Sequence, residues 1–457
     1  MLPFAWALAV LFSYSAVRAS GSLGSVKALP RMLAFGLPAS MLLLCYLLLP
    51  APIPTAPLAG AFTLLLAVLA CLMLAGAAPF HSALHEASEA PAALAALLCG
   101  LVLPLLALGT LVHLVADLRA SLLVPELPRL WRGVLIGLGL IGLPACAAGA
   151  LREVRMKRIL AWMVGFQAAS VVVALGVPHP LAALATSALL VNLALSTLVG
   201  TLAMAVLEWQ TGSDDYTVIG GDPPALVDDL RLPAVLWGIA GLSALGLPGL
   251  WGFWGRVWLL EALGDYGAWL LVPVVVASVL AALAYLVPVA RLWAASVNRS
   301  TATAWSTVQP FGPVLVLALL PLPVLGIVPQ LAWAGWLQAV PAAPADLPAE
   351  PLRQVISGLA LAGWLVLVLL LWRQRVPRQT MPDPDMQPTI LPPAMLAQQL
   401  APLALLADPL PLLQGLWRGL LRVSRAAQTV MGLFEQRFYL AGVMLALISL
   451  LLLMAQG

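Results

Sequence analysis

Long apolar runs, interrupted only by short clusters of charge, proline and glycine, set the pattern of this chain. Twelve such runs lie near residues 2–17, 32–50, 57–91, 92–116, 133–150, 159–177, 181–207, 232–264, 267–289, 310–331, 355–372 and 438–455. An α-helix needs about 20 mostly apolar residues to cross a bilayer. None of the runs alternates with period two, as the strands of a membrane β-barrel would. The pattern predicts an all-α polytopic membrane protein with about twelve transmembrane helices.

Two of the runs are longer than one crossing and change character midway. LMLAGAAPFHSALHEASEAP (72–91) carries Pro79, and GLSALGLPGLWGFWGRVWLLEALG (241–264) carries Pro248 and Gly249. Proline removes a backbone donor and opens a helix, so both helices are predicted to be broken at mid-membrane. Broken helices are tolerated at that depth only inside protein or along a wet cavity. Matched breaks in two halves point to internal pseudo-symmetry and to ion or substrate sites; a plain kink is the simpler alternative.

The C-terminal part reads differently. Residues 376–410 are rich in proline and polar groups, as an extra-membrane linker is. In 411–436, Gln414, Arg418, Arg422, Arg425 and Gln428 recur at spacings of three and four, with Leu413, Leu416, Trp417, Leu420 and Leu421 largely opposite. This predicts an amphipathic helix lying in the membrane interface, on lipid or on a partner subunit. Four regions follow: N-terminal helices (1–56), a first broken-helix region (57–150), a second bundle with the second break (151–331), and a C-terminal extension (332–457).

Composition excludes several function classes. Of 457 residues, 62% are hydrophobic and 9% charged, with a mean hydropathy of +1.02, too few charges for a water-facing surface. The net charge of +3 is spread over loops and suggests no nucleic acid. Cys45, Cys71, Cys99 and Cys146 lie in apolar runs without ligand spacing, so neither disulfides nor a metal site is expected. No haem, iron–sulfur or flavin motif is present, so no cofactor and no catalytic centre are expected of the chain itself.

Basic residues set the orientation. Threading the runs puts Arg18, Lys27, Arg31, Arg152, Arg155, Lys157, Arg158, Arg231, Arg291, Arg299, Arg373, Arg375 and Arg378 on one side, against Arg119, Arg129, Arg132 and Arg353 on the other. The first side is then cytoplasmic, in a bacterial-type inner membrane, with both termini outside. The first run has no basic n-region and its positive charges follow it, so it reads as a span rather than a cleaved leader.

Three segments carry a resemblance. PFHSALHEASEAPAALAALL (79–98) is similar to the PFHxWLPDAxEAPTPVSALL signature of the antiporter-like membrane subunits of respiratory complex I, Mrp sodium/proton antiporters and membrane-bound hydrogenases. REVRMKRILAWMVGFQ (152–167) resembles that family's DLKRxLAYSSxSQ, and GLSALGLPGLWGFWGRVWLLEA (241–262) its SLxGLPxxxGFxGK/EF, in the same order. The resemblance covers roughly 1–330 and implies two inverted five-helix bundles, each with a broken helix. It also implies a proton relay of lysine, glutamate and histidine at mid-membrane, and neighbouring membrane subunits as partners. Against that pattern the chain begins about four helices late, so the resemblance implies an N-terminally shortened member.

Position by position, the relay is missing. The carboxylate of the first helix falls on Ala7 and the lysine before PFH on Leu74. The following relay residue falls on Cys99 or Pro104, the His-x-x-x-Lys pair on Asn192 and Ser196, and the exit residue on Arg256. The chain has twenty arginines and only two lysines, Lys27 and Lys157, both expected in cytoplasmic loops. Arginine stays charged at any physiological pH and cannot take the place of a switching lysine.

Polar groups in the runs remain as ion-path candidates: Arg256, Glu261, His81, His85, Glu86, Asn192 and Ser196, with Glu89 beside the first break and His113 and Asp117 near a helix end. Arg256 has three readings: a residue that snorkels or caps carbonyls freed at the break, part of an ion path, or a contact to a partner. His81 and His85 share a helix face and read as hydrogen-bonded core, a proton relay or, least favoured, a metal pair. Glu208, Asp214, Asp215, Asp222, Asp228 and Asp229 fall in one loop, read as a solvated face or a docking patch for a basic partner.

The leading expectation is a divergent antiporter-type subunit of a larger energy-converting complex, structural or coupling in role, with its lysine relay lost. The alternative is an active proton, sodium or inorganic-carbon transport module that uses Arg256, Glu261 and His81 with a soluble redox or carbon-handling partner. A quinone-facing subunit is a weaker third, since the abundant tryptophan fits interfacial belts.

Overall fold

The computed structural model describes residues 2–19, 36–47, 57–77, 84, 88, 102–120, 126–219, 231–297, 318–329 and 331, all within one compact unit, Met1–Ala407. The first-break residues Pro79, His81, His85, Glu86 and Glu89, the linker, the amphipathic helix and the last two spans lie outside the described residues. The elements are α1 (Leu2–Ala19), α2 (Gly36–Leu47), α3 (Pro57–Ala75), α4 (Leu103–Ala120), α5 (Glu126–Arg152), α6 (Met156–Gly176), α7 (Pro180–Thr211), α8 (Tyr216–Ile219), α9 (Arg231–Leu245), α10 (Gly252–Gly267), α11 (Leu271–Val297) and α12 (Pro321–Ile327). A short 3₁₀ turn, Ala268–Leu270, joins α10 to α11.

Four described stretches are long and apolar enough to cross a membrane: Trp131–Arg152, Met156–Gly176, Pro180–Thr211 and Gly252–Leu292. Shorter apolar helices accompany them. The structure is that of a helical, multi-pass membrane protein.

Helix α6 is the hub. Every residue in it except Arg158 and Ala161 is buried, which is the expected fate of a helix that is apolar all round. It packs against α5 on one side and α7 on another, while α9, α10 and α11 complete the bundle around α7 and α5. Small residues let α5 come close: a Cβ on Gly149 would lie 2.5 Å from the Trp162 ring, and one on Gly139 2.5 Å from Val173. Outward faces stay apolar, with Ile141, Trp269 and Val272 exposed as a lipid-facing surface requires. Helix α3 pairs separately with α4.

At the arginine-rich end, a polar clasp joins the α5–α6 turn to the segment after α7. Arg155 and Asp215 form an isolated antiparallel bridge, and the Met156 N–H donates to the Asp214 carbonyl at 2.9 Å. Arg155 Nε donates to both Asp214 carboxylate oxygens at 3.2 and 3.1 Å. Asp215 accepts from the Thr217 N–H and hydroxyl at 2.8 and 2.6 Å. Lys157 differs from its expected loop setting: it stands in the first turn of α6, buried, with Nζ 2.6 Å from Glu208 Oε1. Glu208 belongs to α7, so Glu208, Asp214 and Asp215 hold the fold together internally and are not a free acidic patch. The cations of Glu208 and Asp214 lie about fifty residues away in the chain, which is why local reading left these two acids unpartnered.

Two outcomes are expected. Glu208→Gln removes the 2.6 Å ion pair of the buried Lys157. Because Glu208 itself is part-exposed, the cost is about 1–2 kcal/mol, below that of a fully buried pair, and adding Lys157→Met recovers most of it in thermal melts. Burial raises the Glu153 carboxyl above the ordinary carboxylate value, against the opposing pull of Arg158, Arg152 and Arg155. A carboxyl raised on folding contributes fully below its unfolded value, roughly 4.3, and that contribution is lost as pH rises through the folded value. The Glu153 contribution to stability therefore declines across that window, and Glu153→Gln is expected to make the pH dependence of the midpoint less negative in melts taken from about pH 4 to 7.

Candidate functional site

Two helix stops of the same design frame the site. Helix α3 ends at Gly76 (φ 62°), with the Ala77 N–H donating to the Leu72 carbonyl at 3.2 Å. Helix α9 ends at Gly246 (φ 86°), with the Leu247 N–H on Leu242 O at 2.8 Å and the Gly246 N–H on Ser243 O at 3.0 Å. This paired pattern closes a helix through a left-handed residue, for which glycine is suited. The glycine ends each helix, and the proline that the sequence reading held responsible comes only afterwards. Pro248 and Gly249 (φ 88°) then occupy the two central positions of a turn closed by Leu250 N–H to Leu247 O at 3.2 Å, the arrangement a type II turn needs.

Beyond the turn, α10 starts hard against a ring of neutral polar groups drawn from α6, α7 and α9. Asn192 Nδ2 donates to Gln167 Oε1 at 3.1 Å and to the Ser243 carbonyl at 3.2 Å. The Ser243 hydroxyl donates to Asn192 Oδ1 at 2.7 Å, and Gln167 Nε2 donates to the Ser196 oxygen at 3.1 Å. The Gly252 N–H reaches the Ser243 oxygen at 3.4 Å. All four side chains are buried. Asn192 and Ser196, one helical turn apart on α7, thus meet the same partner, Gln167.

Arg256 sits beside this ring, 2% exposed. Its Nη2 donates to the Ala244 carbonyl at 3.2 Å, capping the end of α9, and its guanidinium lies over the Phe166 ring at 4.6 Å. The stem passes over Gly246, where a Cβ would lie 2.6 Å from Arg256 Cγ. Glu261 is also buried on α10, and the two form no ion pair with each other. Trp251 Nε1 donates to Ala188 O at 3.0 Å, the Trp251 N–H to Leu322 O at 2.9 Å and Trp254 Nε1 to Gly326 O at 2.8 Å, so α7 and α12 pin the break in place. The first stop reaches the same hub: Gly76 O lies 3.4 Å from where a Cβ on Gly165 would be.

Of the sequence candidates, the structure brings Asn192, Ser196 and Arg256 into one neighbourhood with Pro248 and Gly249. His113 lies exposed on α4, apart from it. Gln167, Ser243 and Phe166 had not been singled out. Gln167 was the visible signal, a glutamine in the middle of an apolar helix at the end of a quoted motif. The family signature described as NADH:quinone oxidoreductase/Mrp antiporter, transmembrane region, matches residues 16–281, more than half of the chain. The chain belongs to this family.

Solved structures agree at the level of fold. A chain of the Mrp complex from Dietzia sp. DQ12-45-1b superposes with a TM-score of 0.62 at 21% identity, over 94% of this chain and 46% of that one. A chain of the membrane-bound sulfane sulfur reductase, an archaeal respiratory membrane complex, gives 0.60 at 16% identity over 79% and 71%. A chain of respiratory complex I from Thermus thermophilus with bound NADH gives 0.53 at 20% identity over 79% and 74%. This antiporter-family chain therefore spans about half the length of the Mrp chain. No curated protein matches it in sequence.

Gly252 tests the geometry of the break. A Cβ there would collide with the Ser243 carbonyl and stand 2.8 Å from Asn192 Nδ2. Gly252→Ala must push α10 off the ring, at a cost of about 1–3 kcal/mol, read as a lowered midpoint in tryptophan-monitored thermal unfolding. Gly133→Ala, with open space at its Cβ inside α5, is the matched control and is expected to hold or slightly raise the midpoint.

Proposed function

We propose that this antiporter-family chain is a divergent membrane subunit of a larger energy-converting complex, in which it serves a structural or coupling role and carries no proton relay through its second bundle. The observation that carries the reading is the buried hydrogen-bonded chain Ser196–Gln167–Asn192–Ser243. The resemblance expects a histidine and a lysine at Asn192 and Ser196, groups that take up and release protons. Amides and hydroxyls in their place bind no proton near neutral pH, and their donors and acceptors are turned on one another. Gln167 is positioned to lock α6 to α7, and Ser243 to lock α7 to the break.

Other membrane subunits are the proposed partners, since the solved relatives come from multi-subunit assemblies. The arginine distribution supports a bacterial-type inner membrane with the Arg152–Arg158 turn facing the cytoplasm. In this reading, redox chemistry in the complex belongs to other chains.

The test is proton flux in proteoliposomes holding the intact complex. Asn192→Ala and Ser196→Ala each break the ring and cost about 1–3 kcal/mol of stability, while flux per assembled complex stays at the wild-type level. Glu261→Gln and His81→Ala are expected to behave likewise. A tenfold loss of flux with assembly intact, in any of the four, would overturn the structural reading in favour of an active transport module.

A further inference from the structure

The guanidinium of Arg256 is only partly accounted for. It has five N–H donors, and its one hydrogen bond among the described residues runs from Nη2 to Ala244 O. Nε and Nη1 are buried and find no acceptor among the described residues. The Phe166 face offsets part of the charge, but a ring accepts no conventional hydrogen bond from the two remaining nitrogens. Among the described residues, no carboxylate reaches this group.

The backbone makes the deficit larger. Arg256 is the fifth residue of α10, whose N-terminal end carries the positive pole of the helix dipole. Nη2 answers to the negative end of α9 through Ala244, yet Nε and Nη1 remain on a guanidinium at a positive helix end. A water molecule would supply acceptors without supplying charge. A group with negative charge and several acceptor lone pairs supplies both.

We propose that Arg256 seats a small monovalent carboxylate or oxyanion taken up from solution, held by Nε and Nη1 between α10 and the end of α9. The anion neutralises the guanidinium at membrane depth and stiffens the second break, and the site does not depend on whether the chain conducts protons. The same chemistry could reach Arg256 as a carboxylate of a neighbouring protein segment, and the experiment separates the two sources.

The measurement is thermal unfolding of the purified full-length protein, with whatever subunits accompany it, in sodium gluconate against formate or bicarbonate at constant ionic strength. The wild type is expected to gain about 3 °C, saturably, with formate. Arg256→Gln is expected to lose the gain while still unfolding cooperatively. Should that variant fail to accumulate, Arg256→Lys, which keeps the charge but not the planar fork, is expected to need about tenfold more formate. No gain in the wild type means that a protein carboxylate already fills the place, and overturns the proposal. An equal gain in the wild type and in the variants overturns it as well. Neither result bears on proton flux, so the functional reading above stands or falls separately.

Discussion

Satisfying polar groups where no water is available to do it is the constraint on which the rest of this structure depends. Gln167 meets it most economically. From the middle of the buried hub helix, it bonds Asn192 and Ser196 on one neighbour, and through Asn192 it reaches Ser243 on another. Each amide and hydroxyl in the ring answers another, so three helices are held in one register by groups that would be costly to bury alone. Apolar packing, by contrast, is weakly directional among helices that are greasy on every side.

The breaks depend on the same bookkeeping. Ending a helix inside a membrane frees carbonyls and N–H groups, and each stop recovers some of them through a left-handed glycine. At the second stop, further recovery comes from Arg256 on the Ala244 carbonyl, Ser243 at the start of α10, and the Trp251 and Trp254 indoles on carbonyls of α7 and α12. Both stops arrive at residues 165–167 of α6, Gly76 against Gly165 and the second break through Phe166 and Gln167.

Where the resemblance implies a histidine and a lysine, this chain has Asn192 and Ser196. The lysine that survives among the described residues, Lys157, sits at the arginine-rich end in a clasp with Glu208, and Arg155 and Asp214 reinforce it. Among the described residues, the second break is surrounded by amides, hydroxyls, Arg256 and the buried Glu261.

Much of this was legible along the chain. Continuous apolar runs require helices, because only a helix satisfies its own backbone in lipid. The bounds of α6 and α7 follow their runs to within a few residues, and Pro248 beside Gly249 marked the second break, although Gly246 is the residue that ends α9. Three motifs in order pointed to the family. Residue identity alone also excluded lysine from the expected relay positions. What the linear pattern left out were pairings across distance. Lys157 with Glu208, Asn192 with Gln167 and Arg256 with Phe166 each join residues from different helices, and hydropathy is nearly silent on which faces of uniformly apolar helices meet. Only the packing of α6 among α5, α7 and the broken helix decided that Asn192 and Ser196 meet on one glutamine, with Ser243 joined through Asn192, while two nitrogens of Arg256 find no acceptor among the described residues, because hydrogen-bond partners are chosen by three-dimensional proximity and not by position in the chain.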